Sequence, residues 1–450
     1  MADVICALST APAQSAIGVV RLSGDGCCSV AEKIFTPLRG ALSDAQNRRL
    51  VLGTLTNREG QTIDQCMAVY SRAPHSYTGE DTVELQCHGS PAVLSAALQA
   101  LIAHGARMAE PGEFTKRAFL NGRMDLTQAE AVIDLIESST AEAAANAASQ
   151  VGGALRRSVE GIYDRLTDVL AHFHAVVDYP DEDIDPFELS QQRQSLAAEA
   201  AQLRSLSASY ARGQILKDGV RAVILGRPNV GKSSLLNALA GYERVIVTAT
   251  AGTTRDTVEE QVRVGGVLLR LTDTAGIRDT ADEIERMGVD RSLQAAEQAQ
   301  LALFVCDGSE ALTEEDFRAI AAARQAECAI GLINKSDLPQ VVTELPFDAV
   351  FTISAKDARG LDALEQFVRD RFGTEGHQAG SILTNARQAG AVEQALTALE
   401  CTLDSLDAGF TPDAVLLDVE AALSALGEIT GKHMREEVVS RIFSRFCVGK

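Results

Sequence analysis

The chain has 450 residues, 46% of them apolar and 23% charged, the balance of a soluble globular protein too long for one ordinary core. A formal net charge of −21 argues against a broad basic nucleic-acid surface, and no apolar run approaches the length of a membrane span. Nine cysteines, an odd number, include no C-x-x-C pair and no Cys/His cluster at zinc spacing, so reduced thiols in a cytoplasmic protein are expected.

The opening MADVICALSTAPAQSA places Asp3 where a signal peptide needs basic residues, so it reads as a first strand. AIGVVRLSG, DQCMAVYSRA and DTVELQCHG are strand-like, bounded by Gly, Asp or Pro. SPAVLSAALQALIAHGA is an apolar-periodic helix ending near Gly105. Together they predict an α+β domain over residues 1–118.

Beyond PGEFTKRAFLNGRMD the pattern turns helical. Thr127 and Glu130 have the spacing of a capping box ahead of Ala129, Val132, Ile133 and Ile136. Helical periodicity continues over residues 155–177 and 189–212, interrupted by VDYPDEDIDPF with Pro180 and Pro186. The predicted first helical part covers residues 119–216. From Arg221 apolar strands (RAVILG, VLLRLTD, LALFVCD, CAIGLIN, AVFTIS) alternate with helices, which predicts a parallel sheet covered on both faces over residues 217–375. Helical patterns resume over residues 382–406 and from Pro412, capped by Thr411, within a second helical part at residues 376–450. The predicted fold is therefore multidomain α/β plus α, a discontinuous helical domain interrupted by an inserted P-loop α/β domain.

GRPNVGKSS, Gly226 to Ser234, matches G-x-x-x-x-G-K-S between a strand and a helix. In that setting the amides of Asn229, Val230, Gly231, Lys232, Ser233 and Ser234 wrap phosphate oxygens, Lys232 adds a cation, and Ser233 suits Mg²⁺. Four further elements follow in order. AGTTRD supplies Thr253 and Thr254, and DTAG supplies Asp273, Thr274, Ala275 and Gly276 near the metal and terminal phosphate. NKSD contributes Asn334, Lys335 and Asp337, whose carboxylate can accept two hydrogen bonds from guanine that adenine cannot offer. SAK, Ser354 with Ala355 and Lys356, buttresses the base. Any one of these passes as turn chemistry; five in order specify a GTP-binding domain. Many GTPases carry a Gln after DTAG, but here the position is Ile277, which leaves Arg278, Asp279, Asp282, Glu283 and Glu285 as candidates to orient water.

At this point the chain resembles, over essentially its whole length, the tRNA-modification GTPases known as MnmE or TrmE. The specific strings are SYTGEDTVELQCHG, PGEFTKRAFLNGRMDLTQAEA, DYPDEDID and the terminal FCVGK. The resemblance implies an N-terminal domain that binds a folate and dimerises, a discontinuous helical domain and a Ras-like G domain. It implies a homodimer that works with the flavoprotein MnmG, as a heterotetramer, to add an aminomethyl or carboxymethylaminomethyl group to the wobble uridine of certain tRNAs, with no membrane involved. Hydrolysis of GTP with Mg²⁺ would depend on K⁺, which compensates charge on phosphate oxygens. Carried over by position, Asn229, Thr248, Thr250 and Thr253 would hold K⁺, and Ser233 and Thr254 would hold Mg²⁺. Glu285 would orient the water, with Arg278 a nearby switch residue.

A tetrahydrofolate derivative, 5-formyl or methylene, would meet Arg21, Glu84, Arg123 and Lys450. Strand alternation independently puts Arg21 in phase with Ile17 and Val19, and sets Glu84 against Val83 and Leu85. A structural ion pair explains the same pattern; the resemblance favours the site. The tail residues Ile442, Phe443 and Phe446 are expected to pack on the helical domain, which sets Cys447 near the one-carbon chemistry, as nucleophile or as packing. Two other classes compete: a GTP-driven switch indifferent to K⁺, and a folate-dependent transferase with a vestigial G domain.

Overall fold

The structure, a computed structural model, describes residues 3–178, 186–242, 260–271, 295–373, 380–432, 434, 436–444 and 446–449. It divides into two compact units: residues 1–133, 155–180 and 412–450, and residues 134–154 and 181–411.

The first unit contains a sheet of β1 (Ile5–Leu8), β2 (Ile17–Ser23), β3 (Phe35–Pro37), β4 (Leu50–Thr56), β5 (Thr62–Ser71), β6 (Thr82–His88) and β7 (Arg107–Met108). Their order is β3-β4-β5-β6-β2-β1-β7, with only the short β1–β7 pair parallel among the described residues. The alternation read from TVELQ holds: Val83 and Leu85 are fully buried while Glu84 lies on the opposite face. The buried face packs on α1 (Cys27–Ala31) and α2 (Pro91–Ala103), chiefly through Leu94, Ala97 and Leu101. Burying each large aliphatic side chain stabilises by about 1.5–3 kcal/mol. Gly18 permits the close approach, because a Cβ there would lie 2.5 Å from the Leu94 side chain.

Next come α3 (Glu113–Leu120) and α4 (Leu126–Glu137). The capping box of α4 differs from the expected Thr127–Glu130 pair. Asp125 Oδ1 accepts from the Gln128 amide at 2.9 Å, and Gln128 Oε1 accepts from the Asp125 amide at 3.1 Å. Asp125 also accepts from Thr127 Oγ1, so a carboxylate has taken the N-cap and left Thr127 in the first turn. The sequence left α5 (Ala141–Val151) unread; Thr140 caps it by accepting from the Ala143 amide. After α6 (Ala154–Asp178), α7 (Pro186–Asp218) runs beyond both ends of the predicted segment.

The second unit contains the sheet β13-β12-β11-β8-β10-β9, formed by β8 (Val220–Leu225), β9 (Glu260–Val264), β10 (Val267–Leu271), β11 (Leu301–Asp307), β12 (Cys328–Asn334) and β13 (Val350–Thr352). Every residue of β11, LALFVCD, is buried, as a central parallel strand requires. β9 corrects the all-parallel expectation: it is antiparallel to β10 through the turn Gly265-Gly266, where both glycines have positive φ (58° and 84°). Helices α8 (Lys232–Tyr242), α9 (Glu314–Ala323) and α10 (Leu361–Phe372) accompany this sheet.

Chain continues as α11 (Ala386–Asp407), α12 (Pro412–Thr430) and α13 (Glu436–Phe443). α11 begins at Ala386, four residues after the predicted Ile382; Ile382 and Leu383 are buried in a non-helical segment. That segment crosses α7 at Gly213, where a Cβ would lie 1.7 Å from the Leu383 carbonyl oxygen. Asp134 fastens the same region, accepting from Lys217 Nζ and from Thr384 Oγ1, each at 2.6 Å. In the first unit, Phe443 and Phe446 lie with ring centres 4.9 Å apart, tilted by 37°, and bury against Leu126 and Ala129, as expected of the terminal apolar residues.

Candidate functional site

The phosphate-binding loop leaves β8 at Gly226 and enters α8 at Lys232. Two of its glycines are dictated by close approach. At Gly226 (φ 150°) a Cβ would lie 2.2 Å from the Val305 carbonyl oxygen, and at Gly231 (φ 100°) it would lie 2.3 Å from Asn334 Nδ2. Asn229 adopts the left-handed conformation (φ 62°) with its side chain exposed. Lys232 Nζ turns back over the loop, donating to the Gly226 and Arg227 carbonyls at 2.6 and 2.9 Å. Burial pushes its pKa below the ordinary lysine range, so a desolvated cation sits where an anion would pair with it. Ser233 and Ser234 are exposed in the first turn of α8, and Val230 is buried beneath.

Asn334 ends β12 and is buried at 3% exposure. Its Nδ2 donates to the Val230 carbonyl at 2.7 Å, and its Oδ1 accepts from the Ala355 amide at 2.9 Å. A side chain read as part of the base site thus ties the phosphate loop to the SAK loop. Lys335, with φ 64°, ion-pairs with Asp307 at the end of β11. Burial works against the Asp307 carboxylate, yet bonds from Lys335 and Ser309 hold its pKa below the usual range. Asp337 is exposed, and its Oδ1 accepts from Ser354 Oγ at 2.9 Å, which fixes the carboxylate. Ala355 is buried and Lys356 exposed. Hence Asn229 to Ser234, Asn334, Lys335, Asp337 and Ser354 to Lys356 converge at the carboxyl ends of β8, β11, β12 and β13. Thr248, Thr250, Thr253, Thr254, Asp273 to Gly276, Arg278, Glu285 and Lys450 lie outside the described residues.

In the first unit, Arg21 and Glu84 are direct cross-strand partners, joined Nε to Oε1 at 2.8 Å. This is the ion pair that alternation alone permitted. It is also framed by rings that sequence reading missed: the Arg21 guanidinium lies 5.2 Å from the Tyr77 ring centre and 5.7 Å from that of Phe114. Tyr77 was visible within SYTGED, and its hydroxyl bonds Thr115 Oγ1 at 2.9 Å. Arg123 is exposed and passes Gly79, with its Cγ 3.1 Å from where a Cβ would stand.

The tail reaches this domain. Val448 bridges Pro111, the Gly112 amide donates to the Cys447 carbonyl, and Ser9 Oγ donates to the Gly449 carbonyl at 3.1 Å. Gly449 lies against Leu8, the neighbour of the residue that pairs with Arg21. Cys447 itself is exposed.

Sequence families match both regions just described. Residues 4–123 match the family described as GTP-binding protein TrmE N-terminus, and residues 126–447 match MnmE helical domain. Whole-chain relatives agree. The tRNA modification GTPase MnmE of Symbiobacterium thermophilum is 42% identical over 100% of this chain and 99% of its own length. That of Geobacillus kaustophilus is 42% identical with the same coverage, and that of Roseiflexus castenholzii 41% identical. Similarity of this extent, running through the phosphate loop and the terminal tail alike, makes the chain a member of the MnmE family of tRNA modification GTPases.

Proposed function

We propose that this chain hydrolyses GTP to drive modification of the wobble uridine of tRNA, as a homodimer with the flavoprotein MnmG and a folate one-carbon donor. The observation that carries the nucleotide half is the tie made by Asn334 between the phosphate loop and the SAK loop, beside a desolvated Lys232. Loop positions where a Cβ would collide are those that anion-binding amides need, so the residues fit a nucleoside triphosphate. Asp337, exposed and held by Ser354, supplies the acceptor pair for guanine.

Ser233 and Thr254 would hold Mg²⁺, and Asn229 with Thr248, Thr250 and Thr253 would hold K⁺; these are the oxygen donors that hard cations prefer. Bound there, the two ions neutralise charge on the phosphate oxygens. Around them, Lys232 would bind phosphate, Glu285 would orient water, and Arg278 would assist from the switch region.

In the N-terminal domain, Glu84 would accept from the donor edge of a pterin and Arg21 would order it against Tyr77 and Phe114. Arg123 and Lys450 would meet the folate carboxylates, with Cys447 alongside. The domains at residues 1–118, 119–216 with 376–450, and 217–375 would then bind folate, link and hydrolyse, respectively, in the cytoplasm. An acidic chain of this kind leaves much of the tRNA phosphate contact to its partner.

GTP turnover in KCl and in NaCl at matched ionic strength tests the reading. Faster turnover in KCl is expected; equal rates would remove Asn229 and the three threonines from cation binding and favour the K⁺-indifferent switch.

A further inference from the structure

Cys66 and Cys87 stand far apart in the sequence and match no metal-binding spacing. Strand pairing cancels that separation. β5 and β6 pair with Met67 opposite Gln86 and Ala68 opposite Leu85, so the next step of the ladder sets Cys66 against Cys87. Both side chains are buried, at 4% and 1% exposure. Asp64 lies two residues before Cys66 on the same face of β5, and its carboxylate joins the thiols. One ligand atom from each of Asp64, Cys66 and Cys87 lies within 4.8 Å of the other two.

We propose that Asp64, Cys66 and Cys87 form a binding site for a thiophilic divalent cation of the zinc type. The spacing suits this. Sulfur at about 2.3 Å and oxygen at about 2.0–2.2 Å from a tetrahedral ion stand about 3.4–3.8 Å from one another, so closure needs rotamer adjustment and no backbone movement. The carboxylate is already oriented, since Asp64 accepts from the His88 amide at 2.8 Å and meets His88 Nδ1 at 2.7 Å. Such bracing of a ligand by an outer partner is what metal sites use to fix geometry. The His88 side chain that braces the carboxylate is 75% exposed, so this end of the pair borders the surface although the Asp64 side chain is itself 7% exposed, and solvent would complete the coordination.

An apolar core gains little from a carboxylate beside two thiols. Hydrogen bonding to Cys66, burial and the charge of Asp64 all push the Cys87 thiol well above the ordinary range. Binding would form two metal–sulfur bonds and release two thiol protons to solvent, with no change of oxidation state. The cation would brace β5 to β6 on the sheet face opposite the Arg21–Glu84 pair.

Cobalt(II) chloride is the probe. The full chain, stripped with chelator, kept under reductant and supplied with Mg²⁺, is titrated with Co²⁺ and read by absorption. One equivalent should produce a near-ultraviolet thiolate-to-cobalt band with the visible bands of a tetrahedral ion, and Zn²⁺ should bleach both. Cys66→Ser and Cys87→Ser should each abolish the near-ultraviolet band, and Asp64→Asn, at the rim, should weaken binding about tenfold or more. Ser233→Ala, in the phosphate loop, should leave the band unchanged. The proposal is overturned by a wild-type chain that gives no such band at millimolar Co²⁺. It is equally overturned by a band that survives loss of either cysteine or ignores Asp64→Asn, or by thiols found joined in a disulfide under reductant. Should a serine variant fail to fold, the wild-type titration and Asp64→Asn still decide.

Discussion

Replacing Asn334 by Ala isolates the tie that joins the two halves of the nucleotide site. The change deletes the bond to the Val230 carbonyl (2.7 Å) and the bond from the Ala355 amide (2.9 Å), and it leaves both groups in a buried setting. Each stranded group costs about 1–3 kcal/mol when no water reaches it. The phosphate loop borders the surface at Asn229 and Ser233, so water will repair part of that loss. A net penalty of about 2 kcal/mol on the ordered loop corresponds to about 30-fold weaker nucleotide binding. Fluorescent GDP and GTP analogues would measure it by titration, with circular dichroism confirming that the chain remains folded. Because Asn334 acts here through loop position while Asp337 is the residue proposed to meet the base, guanine and xanthine nucleotides should weaken by the same factor. A loss confined to guanine nucleotides, or an affinity within about threefold of wild type, would refute the assignment of Asn334 as a tie.

Two other substitutions test neighbouring features. Asp337→Asn keeps the side-chain shape held by Ser354 but exchanges one acceptor for a donor, so GTP binding should fall and xanthosine triphosphate binding should rise; weakening of both would deny Asp337 its place at the base. In the N-terminal domain, Arg107 and Arg117 clamp Asp3 and Glu113. A hydrogen bond from Arg107 leads in holding the Asp3 carboxyl below the usual range, and for Glu113 bonds from Arg107, the Glu110 amide and Arg117 outweigh its burial. Both folded-state values are depressed, so this stabilisation is complete above the ordinary carboxylate range and is lost as pH falls through the lower folded values. Melting of the full chain followed from about pH 7 to about pH 3 should therefore drop steeply at the acid end, and Glu113→Gln should lower Tm at neutral pH and flatten that drop; parallel curves would remove the clamp from the account.

What could be read from the sequence was local. The phosphate loop, NKSD and SAK lie at the carboxyl ends of their own strands, and each carries its chemistry within a few residues, so order along the chain located them. β9 was legible too, in the Gly265-Gly266 turn between apolar residues, but strand–helix alternation drew attention to the parallel strands alone. The α4 cap failed for a different reason. Asp125-x-x-Gln128 and Thr127-x-x-Glu130 both satisfy a capping pattern, and only the approach of the backbone amides decides between them.

Beyond the Arg21–Glu84 pair that alternation permits, features that depend on register were not legible. Tyr77 and Phe114 come to Arg21 from different elements, and Cys66 meets Cys87 only because β5 and β6 pair without a slip. The terminal segment combines both kinds of information. Its aromatic residues announced a packed end, and the structure shows why the end can also reach the N-terminal sheet. After Phe446 is buried beside Phe443, the chain must turn between Pro111 and Leu8. It does so at Gly449 with φ 97°, where a Cβ would lie 2.0 Å from the Leu8 carbonyl oxygen. No other residue fits that passage without displacing β1, the strand that pairs with Arg21. The glycine in FCVGK is therefore a packing requirement of the N-terminal domain, and through it the position of Cys447 is set by residues at the opposite end of the sequence.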